Sequence, residues 1–177
     1  MGAGDGNHTR QPQPARTGWA GRAGDSGETA DSRRTVGTVG RTVPRALALR
    51  SLACSLELPE KIAVGTQRPF LFHVKNRLPL GIALELPSSR VWGWEVDGVA
   101  EAGVGGFDPP AAPATLAFGP RERRTFTGRW DGQFRETEGE RERWRPAVGA
   151  HELTAYLAVE SWQARGTFAS GSVYVTE

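Results

Sequence analysis

From residue 51 onward, apolar and polar residues alternate in short runs, and Gly or Pro stands at most junctions. This rhythm constrains the fold more than any other feature of the chain. Burial at every second position requires an extended backbone with one face on a core, because a helix would carry such residues to all its sides. Leu52, Cys54, Leu56 and Leu58 alternate with Ser51, Ala53, Ser55 and Glu57. Pro59 ends that run, since it has no N–H to give a ladder. Phe70, Phe72 and Val74 alternate with Leu71, His73 and Lys75. Ile82, Leu84 and Leu86 share one face, and so do Trp92, Trp94 and Val96 before the turn dipeptide Asp97-Gly98.

The pattern resumes after a Gly/Pro/Ala-rich connector, residues 103–115. Thr115–Phe118 leads to a turn at Gly119-Pro120, and a strand over 124–130 ends at Trp130-Asp131-Gly132. A charged insert, 135–145, reads as an exposed hairpin tip or loop. Residues 150–165 lack Gly and Pro and are helix-compatible, but their alternation and Tyr156, Val159 and Trp162 favour a strand. Phe168 and Val173-Tyr174-Val175 mark the last one. Seven or eight short strands of this kind predict an all-β, antiparallel sandwich over residues 46–177.

Residues 1–45 are different. They contain no Leu, Ile, Phe or Tyr and cannot supply a core, so a disordered arm is expected. The arm holds seven Arg and four acids, net +3, whereas residues 46–177 hold thirteen Arg, two Lys and sixteen acids, net −1. The basic pI of about 9.1 therefore belongs to the arm. Three sharper readings of the arm compete with disorder. Ser32-Arg33-Arg34-Thr35-Val36 resembles the start of a twin-arginine export signal and Leu52-Ala53-Cys54 a lipoprotein cleavage site, but Arg41, Arg45 and Arg50 break the apolar stretch of about 7–15 residues that export requires. A basic nucleic-acid or lipid-binding arm is diluted by its acids. A leader translated ahead of a later start is consistent with Met1 being the only Met.

The composition limits the chemistry. No run approaches the roughly 20 apolar residues of a membrane span, and a near-neutral domain does not suit a nucleic-acid binder with a broad basic face. One cysteine excludes an internal disulfide or a thiolate zinc cage. His8, His73 and His151 have no metal-ligand spacing. Cys54 sits in an apolar alternation and reads as core rather than nucleophile. There is no G-x-S-x-G elbow and no phosphate-binding glycine loop; Gly103-Val104-Gly105-Gly106 reads as connector. Glu136, Glu138, Glu140 and Glu142 alternate with Arg and read as a solvated run. No cofactor, no metal and no enzymatic activity are expected. Trp94 and Trp130 are expected in the core. Trp144, in the charged insert, is the aromatic expected at the surface and the recognition candidate.

The order of motifs resembles one family. Phe70-x-Phe72-x-Val74-x-Asn76 followed by Pro79-Leu80-x-Ile82-x-Leu84 resembles the opening of the BsuPI-type intracellular proteinase inhibitor domain. Trp94–Gly98, the isolated Phe107, Thr115-Leu116 with Gly119-Pro120-x-Glu122-x-x-Thr125-Phe126, Trp130-Asp131-Gly132 and Gly149-x-His151-x-Leu153-x-Ala155 follow in the family's order, over about residues 50–160. This chain departs from the family in its Gly-Pro order, its long charged insert, and His151. That histidine stands where a Tyr hydroxyl would reach back to the backbone in a corner, a role an imidazole N–H can fill.

The resemblance implies an immunoglobulin-like sandwich and a cytoplasmic, non-enzymatic, protein-binding function, with a serine protease as partner. An inhibitor presents a rigid, extended loop. The candidates are Leu86–Arg90, with Pro87, Ser88, Ser89 and Arg90, and 106–114, with Phe107, Asp108, Pro109 and Pro110. The alternative is a structural or adhesive module, exported and attached to the cell envelope. Oligomeric state is open.

Overall fold

A computed structural model describes residues 43–103, 111–139 and 141–177. Residues 1–42 of the expected arm lie outside the described residues, which all belong to one compact unit, 40–177.

Two sheets form the body. The first joins β1 (Leu52–Glu57), β3 (Arg68–Asn76) and β8 (Arg123–Trp130), with β3 in the centre. The second runs in the order β2 (Lys61–Ala63), β12 (Phe168–Thr176), β11 (Gly149–Leu157), β5 (Trp92–Val96) and β6 (Val99–Ala100). All pairings are antiparallel except β2 with β12. Two ribbons complete the unit: β4 (Ile82–Leu86) with β7 (Ala114–Phe118), and β9 (Gln133–Glu138) with β10 (Arg141–Pro146). In immunoglobulin terms β1, β3 and β8 take the places of strands A, B and E, and β5, β11 and β12 those of C, F and G. The fold is an immunoglobulin-like sandwich in which β7 has left the first sheet to pair with β4.

Seven or eight strands were expected from alternation; eight of those runs are strands, and the described residues contain four more: β2, β6, β9 and β10. Two helices were not anticipated. Helix α1 (Arg45–Arg50) follows Pro44 and buries Ala48 and Leu49, while Val43 packs on the same core. Six residues are too few to display a helical period. Helix α2 (Trp162–Arg165) corrects the strand expected through residue 165. The strand ends at Leu157. Ser161 and Gly166, at φ 55° and 65°, turn the chain at each end of α2, and Trp162 stacks on Tyr156 at 4.3 Å.

The core lies between the sheets. Phe70, Phe72 and Val74 of β3 and Val96, Leu153, Ala155, Leu157, Val173 and Val175 of the second sheet are all within 2 % of full burial. Each such large side chain contributes about 1.5–3 kcal/mol by leaving water. Aromatic contacts tie the layers: Phe70 meets Trp94 edge-on at 5.5 Å, and Phe72 and Phe126 both stack on Trp92. Asp97 and Gly98, at φ 48° and 79°, make the β5–β6 hairpin turn, a left-handed pair that glycine tolerates at its second position. Asn76 is fully buried and ties two loops, 77–81 and 119–122, to the end of β3. Its amide donates to the carbonyls of Leu80 (2.7 Å) and Gly119 (2.9 Å), and its Oδ1 accepts from the N–H of Leu78 (3.0 Å).

Candidate functional site

The charged insert is the hairpin β9–β10, outside both sheets. In its backbone register Arg141 stands opposite Glu138 and Arg143 opposite Glu136. An isolated two-stranded hairpin is only marginally stable in water, and a cross-strand ion pair supports this one. Arg145 donates to Glu136 at 2.6 Å. Trp144 opposes Arg135, whose guanidinium lies 5.5 Å from the indole centroid and also donates to the Glu101 carbonyl (3.2 Å). Trp144 is 49 % exposed, as its place in a charged run implied. With Trp94 and Trp130 it lines a cleft of about 200 Å³, together with Gln67, Glu101, Arg129, Asp131, Gln133 and Arg135. Trp130 is buried as expected, whereas Trp94 is half-buried and reaches both core and cleft. The sequence offered no signal for Gln67, Glu101 or Arg129; only the meeting of the β2–β3 turn, β5–β6, β8 and β9–β10 brings them together.

The base of the hairpin is held firmly. Trp130 Nε1–H donates to the Gln133 carbonyl (2.9 Å), and Phe134 packs beside it. His151 meets both rings edge-on, 5.8 Å from Trp130 and 5.7 Å from Phe134. Its Nε2–H donates to the carbonyl of Ala147, four residues upstream, at 2.8 Å. This is the corner contact that an imidazole was expected to supply in place of a tyrosine. Its Nδ1–H donates to Asp97 Oδ2 at 2.6 Å, and the Glu152 N–H donates to Asp97 Oδ1. Partial burial works to raise the Asp97 pKa, but these hydrogen bonds and the charge of His151 outweigh it and hold the carboxyl below its ordinary value.

The loop Pro87–Arg90 leaves β4 beside Ala114, its partner at the start of β7, so residues 87–90 and 111–113 emerge at one end of that ribbon. Pro87 and Ser89 are exposed and Ser88 is half-buried. Arg90 turns back over the second sheet. Its N–H donates to Ser88 Oγ (3.2 Å), its Nε–H to the Trp92 carbonyl (3.1 Å), and its Nη2 to Glu101. Gly93 makes this possible, because a Cβ there would collide with the Arg90 guanidinium. Glu101 thus touches Arg90 and also lines the Trp144 cleft. Phe107, Asp108, Pro109 and Pro110 lie outside the described residues.

The groups with reactive potential are engaged. Burial pushes the Cys54 thiol up to about 12, so it is not a thiolate nucleophile near neutrality. His73, on the outer face of β3, is buried by its neighbours. Its Nε2–H donates to Glu57 and its Nδ1 shares a hydrogen bond with the Thr125 hydroxyl, both at 2.8 Å. Among the described residues no group of three or more His, Cys, Asp or Glu is placed to hold a metal ion. No helix among them is long and apolar enough to cross a membrane.

No curated protein matches the sequence. Among solved structures, the chain is similar to the CARDB domain of PF1109 from Pyrococcus furiosus in its solution structure (19% identity, 71% of this chain and 94% of that one, TM-score 0.42). The crystal structure of that domain in complex with di-metal ions gives 18% identity over 71% and 87% of the two chains, TM-score 0.43. A β-glucosidase from Listeria innocua, in complex with laminaribiose, gives 13% identity and TM-score 0.43, over 71% of this chain and 16% of that one. Residues 40–176 match the family model DUF7974, described as a family of unknown function, and the chain belongs to that family.

Proposed function

We propose that this protein is a non-enzymatic binding module that holds a protein partner at the Trp144 cleft. The observation that carries this reading is a half-exposed tryptophan on a hairpin outside both sheets, backed by arginines and set beside two further tryptophans. Trp and Arg are the residues in which interface energy concentrates, and they work best where the surrounding frame is rigid. The frame here is rigid because Trp130, Phe134 and His151 root the hairpin in the core. The test is capture from the native lysate by the full chain and by Trp144→Ala, whose exposed position leaves the fold intact. A partner held by the wild type and lost by the variant supports the reading. Equal capture by both refutes it.

A second reading follows from the resemblance to the BsuPI-type inhibitors and is favoured by one observation. The exposed Pro87–Ser89 loop is braced from below by Arg90 through Ser88, Trp92 and Glu101. A loop ordered in advance suits insertion into a serine protease cleft, since little freedom remains to be lost on binding. In this reading the partner is an intracellular serine protease. Replacing residues 87–89 by Gly-Ser-Gly should abolish inhibition of such a protease while leaving Trp144-dependent capture unchanged. Inhibition that survives the replacement excludes the loop.

A further inference from the structure

The outward face of the first sheet carries a second, separate feature. Register sets Lys75 of β3 directly opposite Arg123 of β8, with Ala53 of β1 on its other side. Like charges directly opposite destabilise a sheet, and here they meet in a domain whose net charge is −1 over residues 46–177. Arg121 joins them from the turn before β8. Its backbone is left-handed (φ 58°), and its N–H donates to the Leu78 carbonyl at 2.9 Å. The three cations border a groove of about 340 Å³ that is also lined by Ala53, Ser55 and His73. Small side chains on β1 leave the space open. Among the described residues the carboxylate nearest these cations is Glu57, 3.7 Å from Arg123, and it already accepts from His73 at 2.8 Å. No ion pair among the described residues engages Lys75 or Arg121.

We propose that this groove binds a phosphate-sized oxyanion: inorganic phosphate, or a phosphoryl group carried on a partner's side chain. Lys75, Arg121 and Arg123 supply the charge, with the two guanidinium forks matching the spacing of phosphoryl oxygens. The exposed Ser55 hydroxyl is a neutral donor beside them. His73 holds Glu57 to one side through its hydrogen bond. The bound anion offsets the repulsion between Lys75 and Arg123 that the empty groove must carry.

The experiment titrates the ¹⁵N-labelled full chain with sodium phosphate at constant ionic strength, and in a second arm with a phosphoserine tripeptide. Saturable shifts of the Ser55, Lys75 and Arg123 amides are expected. The double variant K75Q/R123Q should bind at least about tenfold more weakly, since each lost contact is a charged hydrogen bond. K75Q alone should melt higher than the wild type without phosphate, because it removes one of two opposed like charges, and phosphate should narrow that gap. Tighter binding of the peptide assigns the site to a phosphorylated partner; equal binding assigns it to the free anion. Shifts that do not saturate, unchanged affinity in K75Q/R123Q, or no gain in melting temperature for K75Q would each overturn the proposal.

Discussion

Replacing Asn76 tests the architecture most directly, because one buried amide joins two loops to the end of β3. Its two donated bonds, to the Leu80 and Gly119 carbonyls, and its accepted bond from the Leu78 N–H are 2.7–3.0 Å long, and the residue is inaccessible to solvent. Asn76→Ala removes the partner of all three bonds at a position that water does not reach. At about 1 kcal/mol net for each hydrogen bond, the loss comes to about 3 kcal/mol. That is a large part of the roughly 5–15 kcal/mol by which a domain is stable. Asn76→Asp is more informative still. It preserves shape and the acceptor for Leu78 but aims a carboxylate at two carbonyl oxygens. Burial and those oxygens raise the folded-state pKa of the introduced carboxyl above its unfolded value. The protonated form is then the tolerated one, so the variant is most stable below the unfolded pKa, loses stability as pH rises from the unfolded value through the folded one, and levels off above it. Urea unfolding of the full chain at pH 7 and pH 4 measures both effects. An Asn76→Ala loss under about 1 kcal/mol, or an Asn76→Asp variant no less stable at pH 7 than at pH 4, would rule out the Asn76 amide as the anchor of these loops.

Two further outcomes follow from named groups. With its pKa near 12, the Cys54 thiol should resist iodoacetamide in the native protein at pH 8 and react rapidly in urea; rapid alkylation of the native protein would show that the side chain is accessible. Asp97, whose folded pKa lies below its ordinary value, contributes stability at pH above its unfolded pKa that disappears as pH falls through the folded one. Asp97→Asn should therefore melt lower than the wild type at pH 6 and converge with it toward pH 2. Parallel melting curves across that range would remove Asp97 as the cause.

Much of the sandwich was legible in the chain because period-two alternation is a local consequence of having one buried face. The runs at Leu52–Leu58, Phe70–Val74, Ile82–Leu86 and Trp92–Val96 each became a strand with the expected side inward. Strand β2 was invisible: three residues show no period, and its pairing is parallel to a strand far away in sequence. Helices α1 and α2, of six and four residues, are likewise too short to declare themselves. Trp144 stood out as exposed through its charged neighbours, and His151 as a corner residue through the motif around it. Neither signal indicated a cleft.

Side-chain chemistry along the chain sets which residues seek the interior, that Pro59 ends the first strand, and that the basic excess sits in the first 45 residues rather than in the domain. Those properties depend on side-chain type and nearest neighbours. Tertiary structure alone decided that β7 pairs with β4, that three tryptophans from β5, β8 and β10 share one cleft, and that Lys75 faces Arg123. Each of these depends on register between segments far apart in the chain. Register is set by the fit of whole sheet faces, and the sign of a single charge contributes too little to change it.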